Sequence, residues 1–430
     1  MSGLAWAAVA AFTITYVLIA TERVHRVAAA LGGAAVILAI GAGTAETAFF
    51  DKDTGIDWDV IFLLLGMMLI VAVLKRTGVF EYLAIWAAQR AKGRPFRVMV
   101  LLVLITAVAS AVLDNVTTVL LIAPVTFLVC ERLKSPPAPF LIAEVLASNI
   151  GGTATLVGDP PNIIIASRAG LSYNDFLIHL APLVVILLAV FVGLCRLMFR
   201  AAFTYDPDAA AHIAGLRARD AIRDRRLLVV GLGVLVAVTA GFMAHTVIGV
   251  APSIVALIGG LLLLALSRLD VNSVVKDVEW HTLVFFAGLF VVVGSLVSTG
   301  VIDHVSRAAT AAVGNEGSGA AMLLLWGSAG LSAIVDNIPY VTTMSPIVAE
   351  LHGAGPHGND IVWWALALGA DLGGNATAVG ASANVVMVGM AQRAGHPIGF
   401  WQFTKYGLIT TVVTITIAMA YLWLRYIVLS

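Results

Sequence analysis

Asp114-Asn115 and Asp336-Asn337 each sit between two long apolar runs. Three further acids, Glu144, Asp159 and Asp371, lie in segments that are otherwise apolar or glycine-rich. A carboxylate at membrane depth costs about 2.5–3.5 kcal/mol on insertion scales, so a chain that keeps five is expected to use them. No Lys or Arg lies inside these segments; arginine stands only at their ends, as Arg168 does. Such carboxyl groups suit proton exchange, cation binding or hydrogen bonding to a neutral polar solute, and all five are candidates for proton coupling. A permanent dianion would want a cation or several helix dipole ends. Amides and hydroxyls extend the polar set: Asn115, Thr117 and Thr118 after the first acid, Asn337 and Thr342 after its counterpart. A plainer reading makes Asp114 and Asp336 helix N-caps.

The stretch "SNIGGTATLVGDPPNIII" (148–165) offers Asn149, Gly151, Gly152, Thr153, Thr155, Asp159 and Asn162 as ligating groups. Adjacent prolines lack two N–H donors and cannot continue a helix, so this span is expected to be broken near its middle. Its glycines would free backbone carbonyls there, and such backbone must line a cavity or be buried in protein. A second stretch, "ADLGGNATAVGASANVV", repeats the break without proline and offers Asp371, Gly373, Gly374, Asn375, Thr377, Ser382 and Asn384. The structural alternative is that the glycines only let helices pack closely.

The elements that must position these residues come in two copies. At a constant offset of 222 residues Trp58 falls on Trp280, Gly66 on Gly288, Asp114-Asn115 on Asp336-Asn337, and "GGTATLVG" on "GGNATAVG". Shared apolar composition aligns Leu with Val but does not align Asp-Asn pairs. Each half reads as two plain spans (3–20 and 27–43; 227–244 and 249–267), a third from Trp58 or Trp280, a hairpin (97–132; 318–349), a broken segment (138–168; 361–393) and a closing span (177–199; 405–424). The expectation is an all-α polytopic membrane protein of two inverted repeats, 1–199 and 227–430, joined by a basic linker, 200–226. Each repeat has five crossings plus a re-entrant hairpin, and the odd number inverts one repeat against the other.

Composition agrees. The chain of 430 residues is 60% hydrophobic and 12% charged, against about 25% charged in soluble domains. The alternating short segments of a β-barrel are absent. The first apolar stretch lacks a basic leader and a small-residue cleavage site, and reads as a retained helix. With "RARDAIRDRR" placed in the cytoplasm and both termini outside, all but Lys52, Arg168, Arg307 and Arg425 of the 25 Lys and Arg residues fall inside, as the positive-inside rule requires. The expected location is the plasma membrane. The linker charges orient the chain and do not bind nucleic acid. Two cysteines, Cys130 and Cys195, are too few for a disulfide framework or a thiolate metal cluster, and no cofactor or metal is expected.

Inverted repeats with matched broken helices are the signature of a secondary transporter. At "SAVLDNVTTVLLIAPVTF" and "ASNIGGTATLVGDPPNIIIASRAG" the chain also resembles the arsenical pump membrane protein and P-protein permease branch of the ion transporter superfamily. The resemblance implies re-entrant hairpins with tips at Asp114-Asn115 and Asp336-Asn337. It implies unwound regions at Gly151–Asn162 and Gly373–Asn384, and an elevator-like movement. It also allows a cytoplasmic ATPase partner, and a homodimer is compatible with it. Dicarboxylate carriers of the superfamily carry Ser-Asn-Thr at both tips, whereas these tips read "DNVT" and "DNIP".

The reading is therefore proton-coupled export of arsenite or antimonite, with no enzyme activity. Arsenite is a neutral trihydroxide at neutral pH and needs only hydroxyl and amide partners. Sodium/proton antiport is the second reading and organic-anion transport the third. A channel suits matched broken repeats less well than alternating access does. An intramembrane aspartyl protease would want Gly-x-Gly-Asp, but Leu156-Val157-Gly158 precedes Asp159.

Overall fold

The computed structural model describes all residues except 22, 209–216, 306, 308–316, 354–359 and 430. Among the described residues the regular structure is helical. The first half contains α1 (Gly3–Thr21), α2 (Arg26–Ala39), a short α3 (Ala45–Phe49), α4 (Trp58–Lys75), α5 (Val79–Arg90), α6 (Pro95–Val112), α7 (Asn115–Leu133), α8 (Pro137–Gly152), α9 (Pro160–Ala169), a short α10 (Tyr173–His179) and α11 (Ala181–Met198). The second contains α12 (Arg225–Ile248), α13 (Pro252–Ser267), a short α14 (Val271–Lys276), α15 (Trp280–Ser298), α16 (Gly317–Ser332), α17 (Asn337–Gly353), α18 (Ile361–Gly373), α19 (Ser382–Arg393) and α20 (Phe400–Trp423). Eight of the described helices are long and apolar enough to cross a membrane, and α2, α13, α16 and α18 are shorter apolar helices.

Both hairpins and both breaks fall where the sequence places them. Pro160 and Pro161 do not merely hold a gap: they occupy the first turn of α9, where a fixed φ favours helix and the missing N–H groups would be unpaired anyway. Asp114 caps α7, accepting from the Thr117 N–H at 2.8 Å, and Asp336 accepts from the Ile338 N–H at 3.1 Å. The capping reading and the site reading are thus compatible. The amphipathic helix α5 is an addition to the expected spans. The linker turns over residues 218–221, and the Arg223 N–H donates to Thr77 O at 2.9 Å. Its middle, 209–216, lies outside the described residues.

The repeats interlock and run in opposite directions. Arg76, just past α4, pairs with Asp277, just before α15, at 2.7 Å. At the other end Thr54, ahead of α4, lies against Gly294 near the end of α15. The repeat-related helices α4 and α15 are therefore antiparallel. Each packs on a helix of the other repeat: α4 on α13, α15 on α2. The equivalent glycines make this possible, since a Cβ on Gly66 would sit 2.3 Å from the Ala256 carbonyl carbon and one on Gly288 2.9 Å from that of Ala30. Backbones approach this closely where small residues line the seam. Each of α4 and α15 is 72% buried, against 22% for the peripheral α12, whose Val236 turns outward with 68% exposure.

Candidate functional site

Both hairpin tips end on one carboxylate. Asn115 Nδ2 donates to Asp159 Oδ2 at 3.0 Å. Its repeat mate Asn337 reaches the same group, with Nδ2 3.3 Å from each oxygen. Asp159 is fully buried. Asn115 Nδ2 also donates to Asn149 Oδ1 at 3.1 Å, and Asn149 Nδ2 crosses to the other repeat, donating to Asn375 Oδ1 at 2.9 Å and Asn384 Oδ1 at 3.1 Å. Five asparagines and an aspartate, drawn from both tips and both breaks, thus form one continuous polar core. Burial of polar groups is tolerated when each is paired, and a connected network fixes the relative position of everything it touches.

Several expected ligands hold the breaks together. Asn162 Nδ2 donates to Thr155 O at 3.1 Å and Gly152 O at 3.5 Å; Asn384 Nδ2 does the same to Thr377 O and Gly374 O, both at 2.8 Å. The carbonyls freed by the glycines are in this way taken up by the chain's own amides. Thr155 and Thr377 each donate to a hairpin carbonyl, Ala111 O and Ala333 O, at 2.5 Å. Gly151 and Gly373 are close-packing positions: a Cβ would lie 2.3 Å from Ala107 O and 2.6 Å from Ala329 Cα. Thr342 donates within its own helix to Ile338 O at 2.9 Å, and Thr117 is engaged through its backbone. Thr118 is buried with its hydroxyl unpaired among the described residues. Glu144 lies away from the asparagine core and accepts from Thr126 at 2.6 Å.

Next to this core is a cavity on the pseudo-two-fold axis, since it touches the repeat mates Val116 and Ile338, and Pro160 and Ser382. Its polar lining is Arg26, Asp114, Glu279, Thr282 and Ser382. Arg26 Nη1 donates to Ser382 Oγ at 2.8 Å, and Ser382 donates to Asp336. Thr282 donates to Glu279 Oε2 at 3.1 Å. The expectation that no basic residue serves the site is corrected here. Arg26 stands at the start of α2, outside the polar segments, and enters because α2 packs on α15. Arg26 and Glu279 were not singled out in the sequence, where both look like ordinary charges at membrane edges. A second cavity, at the Trp58 end of α4, is lined by Asp59, Ser167, His245 and Ser253 and reaches Leu156 in the first break.

A family model described as citrate transporter matches residues 16–369. An uncharacterized transporter of Mycobacterium tuberculosis is 57% identical over 98% of this chain and 99% of its own. The P protein of Mus musculus is 32% identical over 98% of this chain and 60% of its own length. Among solved structures the chain is similar to MtrF of Neisseria gonorrhoeae, described within a class of antimetabolite efflux pumps, with a TM-score of 0.63, 12% identity and coverage of 100% and 96%. At that identity the likeness concerns the fold.

Proposed function

The chain belongs to the citrate transporter family, within the ion transporter superfamily, and from that premise we propose proton-coupled export of a small neutral oxyacid, arsenite or antimonite, by an elevator-like movement. That it is a membrane transporter follows from the family; the substrate, coupling and movement are our reading. The observation that carries it is the charge of the axial cavity. One guanidinium, Arg26, and two carboxyl groups, Asp114 and Glu279, line it together with the hydroxyls of Thr282 and Ser382. The cavity has room for little more than one water in this conformation, so a neutral polyhydroxyl solute would exchange hydrogen bonds with these groups once the proposed movement opens it. A citrate trianion would meet two like charges for one opposite charge, in surroundings where such contacts are weakly screened. Both cysteines are single and buried, so capture by three thiolates is not part of the reading.

Two carboxylates in one cavity also favour sodium/proton antiport as a second reading, and Arg26 keeps an organic anion as a third. In the orientation we propose, the linker is cytoplasmic, the termini are outside and the hairpins are re-entrant in the plasma membrane. A homodimer and a cytoplasmic ATPase partner rest on resemblance alone. Reconstitution in proteoliposomes under a pH gradient tests the proposal. Proton flux that depends on arsenite and ignores Na⁺ supports it. Na⁺-dependent proton flux without arsenite movement, or saturable citrate uptake, overturns it in favour of the corresponding alternative. Asp114→Asn and Asp336→Asn remove a charge at nearly constant shape; at least one should abolish the pH dependence of transport.

A further inference from the structure

The polar core departs from the repeat at several positions, Asp159 opposite Ala381 and Thr153 opposite Asn375 among them, and one departure exchanges an amide for an acid. Asn149 of α8 corresponds to Asp371 of α18. The side chains it meets, Asn375 and Asn384, correspond to Thr153 and Asn162. Asn149 supplies the N–H donors that the oxygens of Asn375 and Asn384 require. Asp371 occupies the equivalent place beside Thr153 and Asn162. Asn162 spends its Nδ2 on two carbonyls, which leaves its buried Oδ1 without a partner. Thr153 spends its hydroxyl proton on Asn149 O at 2.9 Å. The result is three fully buried oxygens, Asp371 Oδ1, Asp371 Oδ2 and Asn162 Oδ1, with no donor among the described residues. Buried acceptors left without a donor are costly, and a charged one more so.

We infer that Asp371 holds a proton in this conformation and donates it to Asn162 Oδ1, completing on the second repeat the hydrogen bond that Asn149 makes on the first. A proton needs only two oxygens, whereas metal ions with oxygen ligands usually take six or more; no group of three or more His, Cys, Asp or Glu able to hold a metal occurs among the described residues. Among the described residues no Lys or Arg pairs with the carboxyl. Of the helices packed on α18, α8 brings Glu144, tied to Thr126, and α17 brings Tyr340, whose hydroxyl donates to Ser328 at 2.8 Å. The Arg168 of α9 is held at Asp53 O, 2.8 Å away, and Lys405 of α20 lies over Tyr406 at its own helix start. Because this bond joins α18 to α9 across the repeats, losing the proton would loosen the contact between the two breaks. That the proton is carried during transport rests on the proton-coupled reading above; its presence on Asp371 does not.

The test uses the purified full-length protein in lipid, with infrared detection of protonated carboxyl groups. Wild type should show a protonated-carboxyl band that disappears in Asp371→Asn. The same variant supplies the missing donor permanently, so it should fold and melt no lower than wild type. Asp371→Ala, which leaves Asn162 Oδ1 bare, should melt lower than Asp371→Asn. Absence of an Asp371-dependent band, or failure of Asp371→Asn to fold, overturns the inference. So does loss of the band in Na⁺ with a rise in melting temperature, which would assign the cluster to a metal ion. The band is read without any substrate. It therefore stands if arsenite transport fails, and a lost band leaves the transport assay independent.

Discussion

Asp159 is where the residue scale is most constrained. A lone carboxyl accepts one amide from each tip, so the two hairpins are tied through a single side chain that belongs to only one repeat; the equivalent position is Ala381. Asn337→Ala or Asn115→Ala should each cost about 1–3 kcal/mol, the usual penalty for a buried acceptor that loses its donor. Thermal unfolding of the purified variants reads this. The double variant should be more damaging than the sum, because only there does Asp159 lose both tip donors. Strict additivity would mean that the two amides do not share Asp159. Arg26→Lys is a separate probe: a single ammonium cannot reproduce the planar donor geometry at Ser382, so transport should fall while the melting temperature stays.

The helices and breaks carry predictions of a different kind. Gly151 and Gly373 let α8 and α18 lie against the backbones of α6 and α16. Alanine at either should destabilise by about 1–3 kcal/mol through overpacking. Gly193 on α11 has nothing within 4 Å of its would-be Cβ, and alanine there should be neutral or slightly stabilising. Equal effects at all three in melting curves would refute the packing assignment. The breaks themselves are tight loops braced by Asn162 and Asn384, so they are fixed pieces of structure rather than open chain ends. Their polar contacts point inward, and the cavity side is left to Pro160 and Ser382.

Across the whole molecule, antiparallel α4 and α15 form the buried centre, and α13 and α2 lock onto them by exchange between repeats. Single-cysteine labelling from one side of sealed vesicles tests the proposed orientation. Positions 46 and 219, both exposed, should label from opposite faces. Labelling of both from the same face would remove the inverted topology. Position 215 would serve the same purpose by sequence but lies outside the described residues.

Much of this was legible in the sequence because it is local or periodic. Apolar runs set the helices, Pro-Pro and glycine pairs set the breaks, Asp before Asn set the caps, and a constant offset exposed the repeat. Of the five acids in apolar surroundings, Asp159 marked the centre of the polar core, and Glu144 stands apart from it with Thr126. What the tertiary structure alone decided is which groups meet. Both tip asparagines converge on Asp159, and the break carbonyls are consumed by Asn162 and Asn384. Arg26 and Glu279 join the cavity, and the Asp371 carboxyl and Asn162 Oδ1 are left buried without a donor among the described residues. Each of these depends on helices of one repeat packing against the other. A one-dimensional pattern records which face of a helix is apolar, but not which distant helix covers it, so the partner of every buried polar atom had to be read in three dimensions.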